Sequence, residues 1–211
     1  MTAMTDTILR FWLEEVGPER WYRGDAALDG AIRDRFAAEW EAAAAGGREG
    51  WLSRPDAALA LIILLDQFPR NMFRGTPRAF ASDARARTMA KLALARGHDG
   101  HVDAPARQFF YMPLMHSESL ADQDRCVALF VLRLPGEAQN LLHARAHREV
   151  IRMFGRFADR NRVLGRRNSP EEEAYLARGG YPALVRALAA RDAAISGTDR
   201  QAPPARPRDR A

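Results

Sequence analysis

Apolar residues recur along this chain with helical spacing, and no period-two run of the kind a half-buried strand needs stands out. Ile8, Leu9, Phe11, Trp12 and Val16 gather on one side of a first helix, about Asp6 to Val16, which Gly17-Pro18 stops. Leu28, Ile32, Phe36 and Trp40, at spacing four, mark a second helix from about Asp25 to Ala45. Leu59 and Leu61 through Leu65 make a third segment apolar all round, which places it at the centre of the fold. It starts near Ser53-Arg54-Pro55-Asp56 and ends at Asp66-Gln67-Phe68-Pro69.

Further helices are expected from about Ser82 to Gly97, Ser119 to Leu134 and Glu137 to Phe157, with a short segment from Pro105 to Tyr111. Ser169-Pro170-Glu171-Glu172-Glu173 is a strong helix start, with a cap, a first-turn proline and acids at the positive dipole end. A last helix spans about Pro182 to Ile195. The expected fold is all-α, an antiparallel helical array without β-sheet. Residues 1–195 form one domain, and 196–211, rich in Pro, Arg and Asp, form a disordered tail.

Composition narrows the function classes. No run approaches the roughly 18 apolar residues of a membrane span. The first six residues lack a basic segment followed by an apolar one, so no export signal is expected. Cys126 is the only cysteine, which excludes an internal disulfide. The expected location is cytoplasmic. A net charge of +5 invites a nucleic-acid reading. It is weakened because Lys91 is the only lysine and 27 acids are interspersed with the basic residues. No cofactor motif is present, and no nucleotide loop.

Four segments carry candidate chemistry. In the first, Asp66 sits where the helix dipole disfavours a carboxylate, followed by Gln67, Arg70, Asn71, Arg74 and Arg78. They form either a structural Asp–Arg clamp or the rim of a ligand site. In the second, Arg74-Gly75-Thr76-Pro77-Arg78 before Ser82 is either an anion-binding turn or an ordinary capped start. In the third, Tyr111 to Glu118, His116 and Glu118 either do acid–base work or bind a metal, for which no further ligands are evident, or Ser117 or Ser119 caps a helix and His116 bonds to the backbone.

The fourth is the long helix. At about 100° per residue, Arg145, Arg148, Arg152, Arg156 and Arg160 share one arc if the helix continues. That row is either a solvated face or an anion-binding wall, with Asn161, Arg166 and Arg167 adding donors. His143 and His147 have zinc-like spacing but lie on the apolar side without further ligands, so they read as core histidines and no metal site is expected.

Phe11-Trp12, Leu59 to Arg78, Phe80 to Asp83, Tyr111 to Glu118 and His147 to Arg166, in this order, resemble a family of bacterial proteins catalogued only as domain of unknown function 924. The resemblance implies an all-α fold of the tetratricopeptide-like class and no established reaction. The family pattern has a Pro-His pair where Ala158-Asp159 stands and an arginine where Met153 stands. The first difference removes any histidine role at position 159.

These readings converge on a polar pocket of Asp66, Gln67, Arg70, Asn71, Arg74, Arg78, Tyr111, His116, Arg156, Arg160 and Asn161, binding a small anionic molecule or a peptide carboxylate. The rival reading is a hydrolase or transferase with His116 as acid–base group and Glu118 or Asp66 orienting it. A third is a scaffold that docks a peptide.

Overall fold

The most apolar stretch of the chain becomes its most buried element. The computed structural model describes residues 3–199, and their side chains as far as residue 194. Among these residues every regular element is helical and no strand occurs. Helix α3, Pro55–Asp66, is buried without interruption from Ala57 to Asp66. A helix apolar on every side must be covered on every side. Helix α1, Met4–Arg10, with its wider-turned continuation Phe11–Val16, covers one flank. Helices α2, Ala26–Ala44, and α5, Asp83–Ala95, cover others. The short helices α4, Phe68–Met72, and α6, Met112–Met115, fill the remaining gaps.

Local chemistry sets the helix limits. Asp25 caps α2 by accepting from the Ala27 and Leu28 N–H groups. The capped helix then delivers Ile32 and Phe36 to the core, where Phe36 meets Phe11 and Phe68 at ring centroid distances of 5.1 and 4.9 Å. Ser82 precedes α5 but does not cap it. Its hydroxyl donates to the Leu65 carbonyl and accepts from Trp40 Nε1, tying α2 to α3.

Helices α7, Leu120–Arg133, and α8, Ala138–Phe154, pack as an antiparallel hairpin about the Pro135-Gly136 turn. Helix α8 stops three residues earlier than its periodicity suggested. Gly155 takes a left-handed conformation, φ 69°, and returns its N–H to the Ile151 carbonyl. Arg156 and Arg160 therefore leave the arginine row. The residues that remain on it are surface ion pairs: Arg145 with Asp192, Arg148 with Asp124 and Arg152 with Glu149.

Helix α9, Pro170–Ala177, opens with the capping box its sequence implied. Ser169 Oγ accepts from the Glu172 N–H, and the Glu172 carboxylate accepts from the Ser169 N–H. Helix α10, Gly180–Asp199, returns along α8. It extends four residues past the expected boundary at 195; residues 200–211, the rest of the expected tail, lie outside the described residues. A second, smaller core of Val150, Ile151, Phe157, Ala158 and Tyr175 holds this part of the chain together.

Candidate functional site

The end of α3 meets the end of α6. Asp66, fully buried, lies with both carboxylate oxygens within reach of His116 Nδ1, at 2.9 and 3.0 Å. Gln67 Nε2 also donates to Asp66, and Arg70 reaches it at 3.4 Å. Burial works against the charge on Asp66. The adjoining His116 and Arg70, with hydrogen bonds from His116 and Gln67, more than offset it and hold the carboxyl below its usual range. An ionised carboxylate only accepts, so Nδ1 carries the imidazole proton and Nε2 is left with a lone pair. Burial and then Arg70 push His116 below its ordinary value, against the pull of Asp66, so the ring is neutral at neutral pH. Nε2 has no hydrogen-bond partner among the described residues, and the ring lines two cavities.

Behind the pair, Arg70 donates to Asp83 at 2.8 Å. Arg160 donates to the other Asp83 oxygen and to the His116 carbonyl, both at 3.2 Å. Its guanidinium is sandwiched between Phe80 and Phe157, 4.7 and 4.3 Å from the ring centres. Burial and the Arg70 charge pull Arg160 down to about 10, which leaves it cationic. Asn71 lies against Arg74, which forms a fork–fork pair with Asp29.

Of the expected pocket residues, Asp66, Gln67, Arg70, Asn71, Arg74, His116 and Arg160 come together. The others do not. Tyr111 is wholly buried, its ring against Phe130 and its hydroxyl donating to Asp99. Arg78 pairs with Glu41 and lies over Trp40 and Phe73 on the surface. Arg156 is held by Glu172 beside a separate hollow, since the Gly155 turn redirects it. Asn161 is buried, bonding Asn168, Glu172 and Arg166. Glu118 points away from His116. It accepts from both ends of the Arg166 guanidinium and from the Phe157 N–H, and so clamps the second core to the first. His116 bonds neither to it nor to the backbone through its ring.

Sequence reading missed a second constellation beside the first. His143 and His147, read as core, are only half-buried and line a cavity. His147 Nδ1 donates to the His143 carbonyl at 2.8 Å, so it carries the proton. It also faces the Tyr181 hydroxyl at 2.9 Å, and that hydroxyl meets His143 Nδ1 at 2.7 Å. With the His147 proton spent on the carbonyl, His143 Nδ1 is the ring nitrogen left to accept the Tyr181 O–H. That arrangement puts a lone pair on His147 Nε2 and a proton on His143 Nε2. Burial pushes His147 down to about 3 and lowers His143. The His116 and His147 rings are 6.2 Å apart. The spacing of His143 and His147 was the available signal, but a helical wheel cannot tell a core wall from a cavity wall.

Two cavities meet at His116. One, of about 200 Å³, is lined by Arg23, Gln67, Arg70, Asn71 and Arg74. The other, of about 230 Å³, is lined by Met115, Asn140, His143, His147 and Tyr181. Tyr22, Met112 and His116 belong to both. No group of three or more potential ligands among the described residues can hold a metal ion.

A family model described as bacterial protein of unknown function (DUF924) matches residues 8–180. The chain belongs to that family. A solved protein of unknown function from Agrobacterium tumefaciens is 43% identical, with a TM-score of 0.78 over 82% of this chain and 96% of that one. Comparison with curated proteins found no match. Asp159 lines a hollow with His147 and Tyr181, and burial raises its carboxyl. Met153 is half-exposed beside Arg156. Among the described residues, no helix is long and apolar enough to cross a membrane.

Proposed function

We propose that this protein is an enzyme that moves a proton on a small anionic substrate, with His116 as its acid–base group. One observation carries the reading: His116 Nδ1 is fixed on a buried, ionised Asp66, its other nitrogen has no hydrogen-bond partner among the described residues, and the ring lines two cavities. A neutral imidazole held this way accepts a proton at Nε2 from the substrate or from an attacking water. The imidazolium that forms is then stabilised by the carboxylate behind it. Asp66 is a positioning residue; Gln67 and Arg70 keep it charged.

The acidic group of the substrate lies towards Arg23 and Arg74. Arg74 already holds Asp29, whereas Arg23 lines the cavity exposed and has no ion partner among the described residues. That pairing pattern is why an anion-binding protein without chemistry is the weaker reading: nearly every expected cation is neutralised by an acid of the chain itself. The cytoplasmic location and the tetratricopeptide-like class belong to the same proposal, supported by one buried cysteine and by antiparallel pairs such as α7 and α8.

The test works with an unidentified substrate. Native protein and His116→Asn are each incubated with a bacterial metabolite extract, and the extracts are compared by mass spectrometry. Loss of an acidic metabolite with native protein alone is the expected result. Identical profiles from the two proteins would overturn the catalytic reading.

A further inference from the structure

The cavity between α6, α8 and α10 offers a ligand far more acceptors than donors. His116 Nε2 and His147 Nε2 each present a lone pair, because their Nδ1 protons are spent on Asp66 and on the His143 carbonyl. Asn140 adds a third acceptor. Its Nδ2 donates to the Glu137 carboxylate at 3.0 Å, which fixes the amide orientation and leaves Oδ1 without a hydrogen-bond partner among the described residues. The Tyr22 hydroxyl is spent on Gln108, and that of Tyr181 on His143. His143 Nε2–H is the one ring donor left. Met112, Met115 and Tyr22 supply apolar wall.

A carboxylate or phosphate placed here would face lone pairs. A group with several hydrogens to give would satisfy them all. Glu137 at the Asn140 side has no ion partner among the described residues and favours a positive charge there, whereas the Asp66 charge behind His116 is matched by Arg70. The neighbouring cavity has the opposite character, with Arg23, Arg70 and Arg74 on its wall.

We propose that the two cavities together receive an amino-bearing acid, its primary ammonium held by His116 Nε2, His147 Nε2 and Asn140 Oδ1, its acidic group towards Arg23. His147 is then a second residue that touches substrate, positioned by Tyr181 and the His143 carbonyl. The inference rests on the proposed role of His116 and names the substrate class for that site.

The experiment uses three matched series of short carboxylic acids ending in an ammonium, a hydroxyl or a methyl group. They are titrated into native protein by calorimetry, with the His116 and His147 ring nitrogens followed by NMR. For the chain length that spans the two cavities, the amine binds about tenfold or more tighter than its methyl and hydroxyl counterparts. Both Nε2 resonances shift with it. In His147→Leu and in Asn140→Leu the amine advantage shrinks while the weak binding of the methyl acid persists. Equal affinity for the three series overturns the ammonium assignment, and so does binding of the amine that leaves the His147 resonance unmoved. Failure of all three series to bind overturns it as well. None of these results bears on the extract comparison above, which depends on His116 alone.

Discussion

Asp66 holds a charge where two effects oppose it: it is fully buried, and it sits at the negative end of α3. Only its partners make that tenable, so Asp66→Ala costs about 3 kcal/mol of stability, read by urea unfolding, because Arg70 keeps Asp83 but loses the buried half of its pairing. The milder Asp66→Asn removes the one nearby carboxylate that hydrogen-bonds His116. An NMR titration then finds the His116 pKa lower than in native protein, since the Asp66 charge raises it. A value unchanged or higher would contradict the pairing. His116, His143 and His147 all titrate below the ordinary 6.5 in the folded state, His147 at about 3. Between those values the unfolded chain binds more protons than the folded one. Their contribution to stability is therefore full above 6.5 and is lost as pH falls below it. Urea midpoints measured from neutral pH down to about 5 fall accordingly. His147→Gln flattens that fall. At this scale the sequence was partly legible. Asp66 stood out because a carboxylate at an apolar helix end demands a partner. His147 did not, because a histidine on an apolar face reads as core whichever wall it meets.

At the scale of elements, most of what the chain needs is written locally. The Ser169 capping box is an example, and Ser169→Ala destabilises the protein by about 1 kcal/mol in chemical denaturation, through the unsatisfied Glu172 N–H. Gly155 is another. Its left-handed conformation, with open space where a Cβ would go, makes Gly155→Ala cost roughly 1 kcal/mol from backbone strain alone. Ending α8 there separates Arg156 from the arginine row and sends Phe157 into the second core. Apolar periodicity ran on through this glycine, which is why the helix was expected to reach Phe157. Periodicity registers which face is apolar, not whether the backbone continues to turn.

The whole molecule is organised around α3 and a lesser cluster near α9. The main core takes in Ala58 through Leu65 without a break; the second holds Val150, Ile151, Phe157, Ala158 and Tyr175. The link between them is largely polar, with Arg166 bridging Glu118, Asn161 and the Phe157 carbonyl. Hydrogen exchange therefore protects α3 amides the longest and releases α9 amides first. Comparable protection in both would show that the molecule opens as one unit. The proposed site lies beside both cores: Asp66 and His116 directly follow Leu65 and Met115 of the first, and Tyr181, the partner of His147, packs against the second.

From its own residues the chain determines an all-helical class, the places where most helices start and stop, and the central position of α3. Those features depend on neighbours a few residues apart and on the balance of apolar faces. Which charge meets which is another matter. Asp66 and His116 are 50 residues apart, and His147 and Tyr181 are 34 apart. Such pairs form only where helices cross, at distances that no local pattern records. The same crossing spends most arginines on acids of the chain, and leaves open the few imidazole nitrogens on which the proposed chemistry rests.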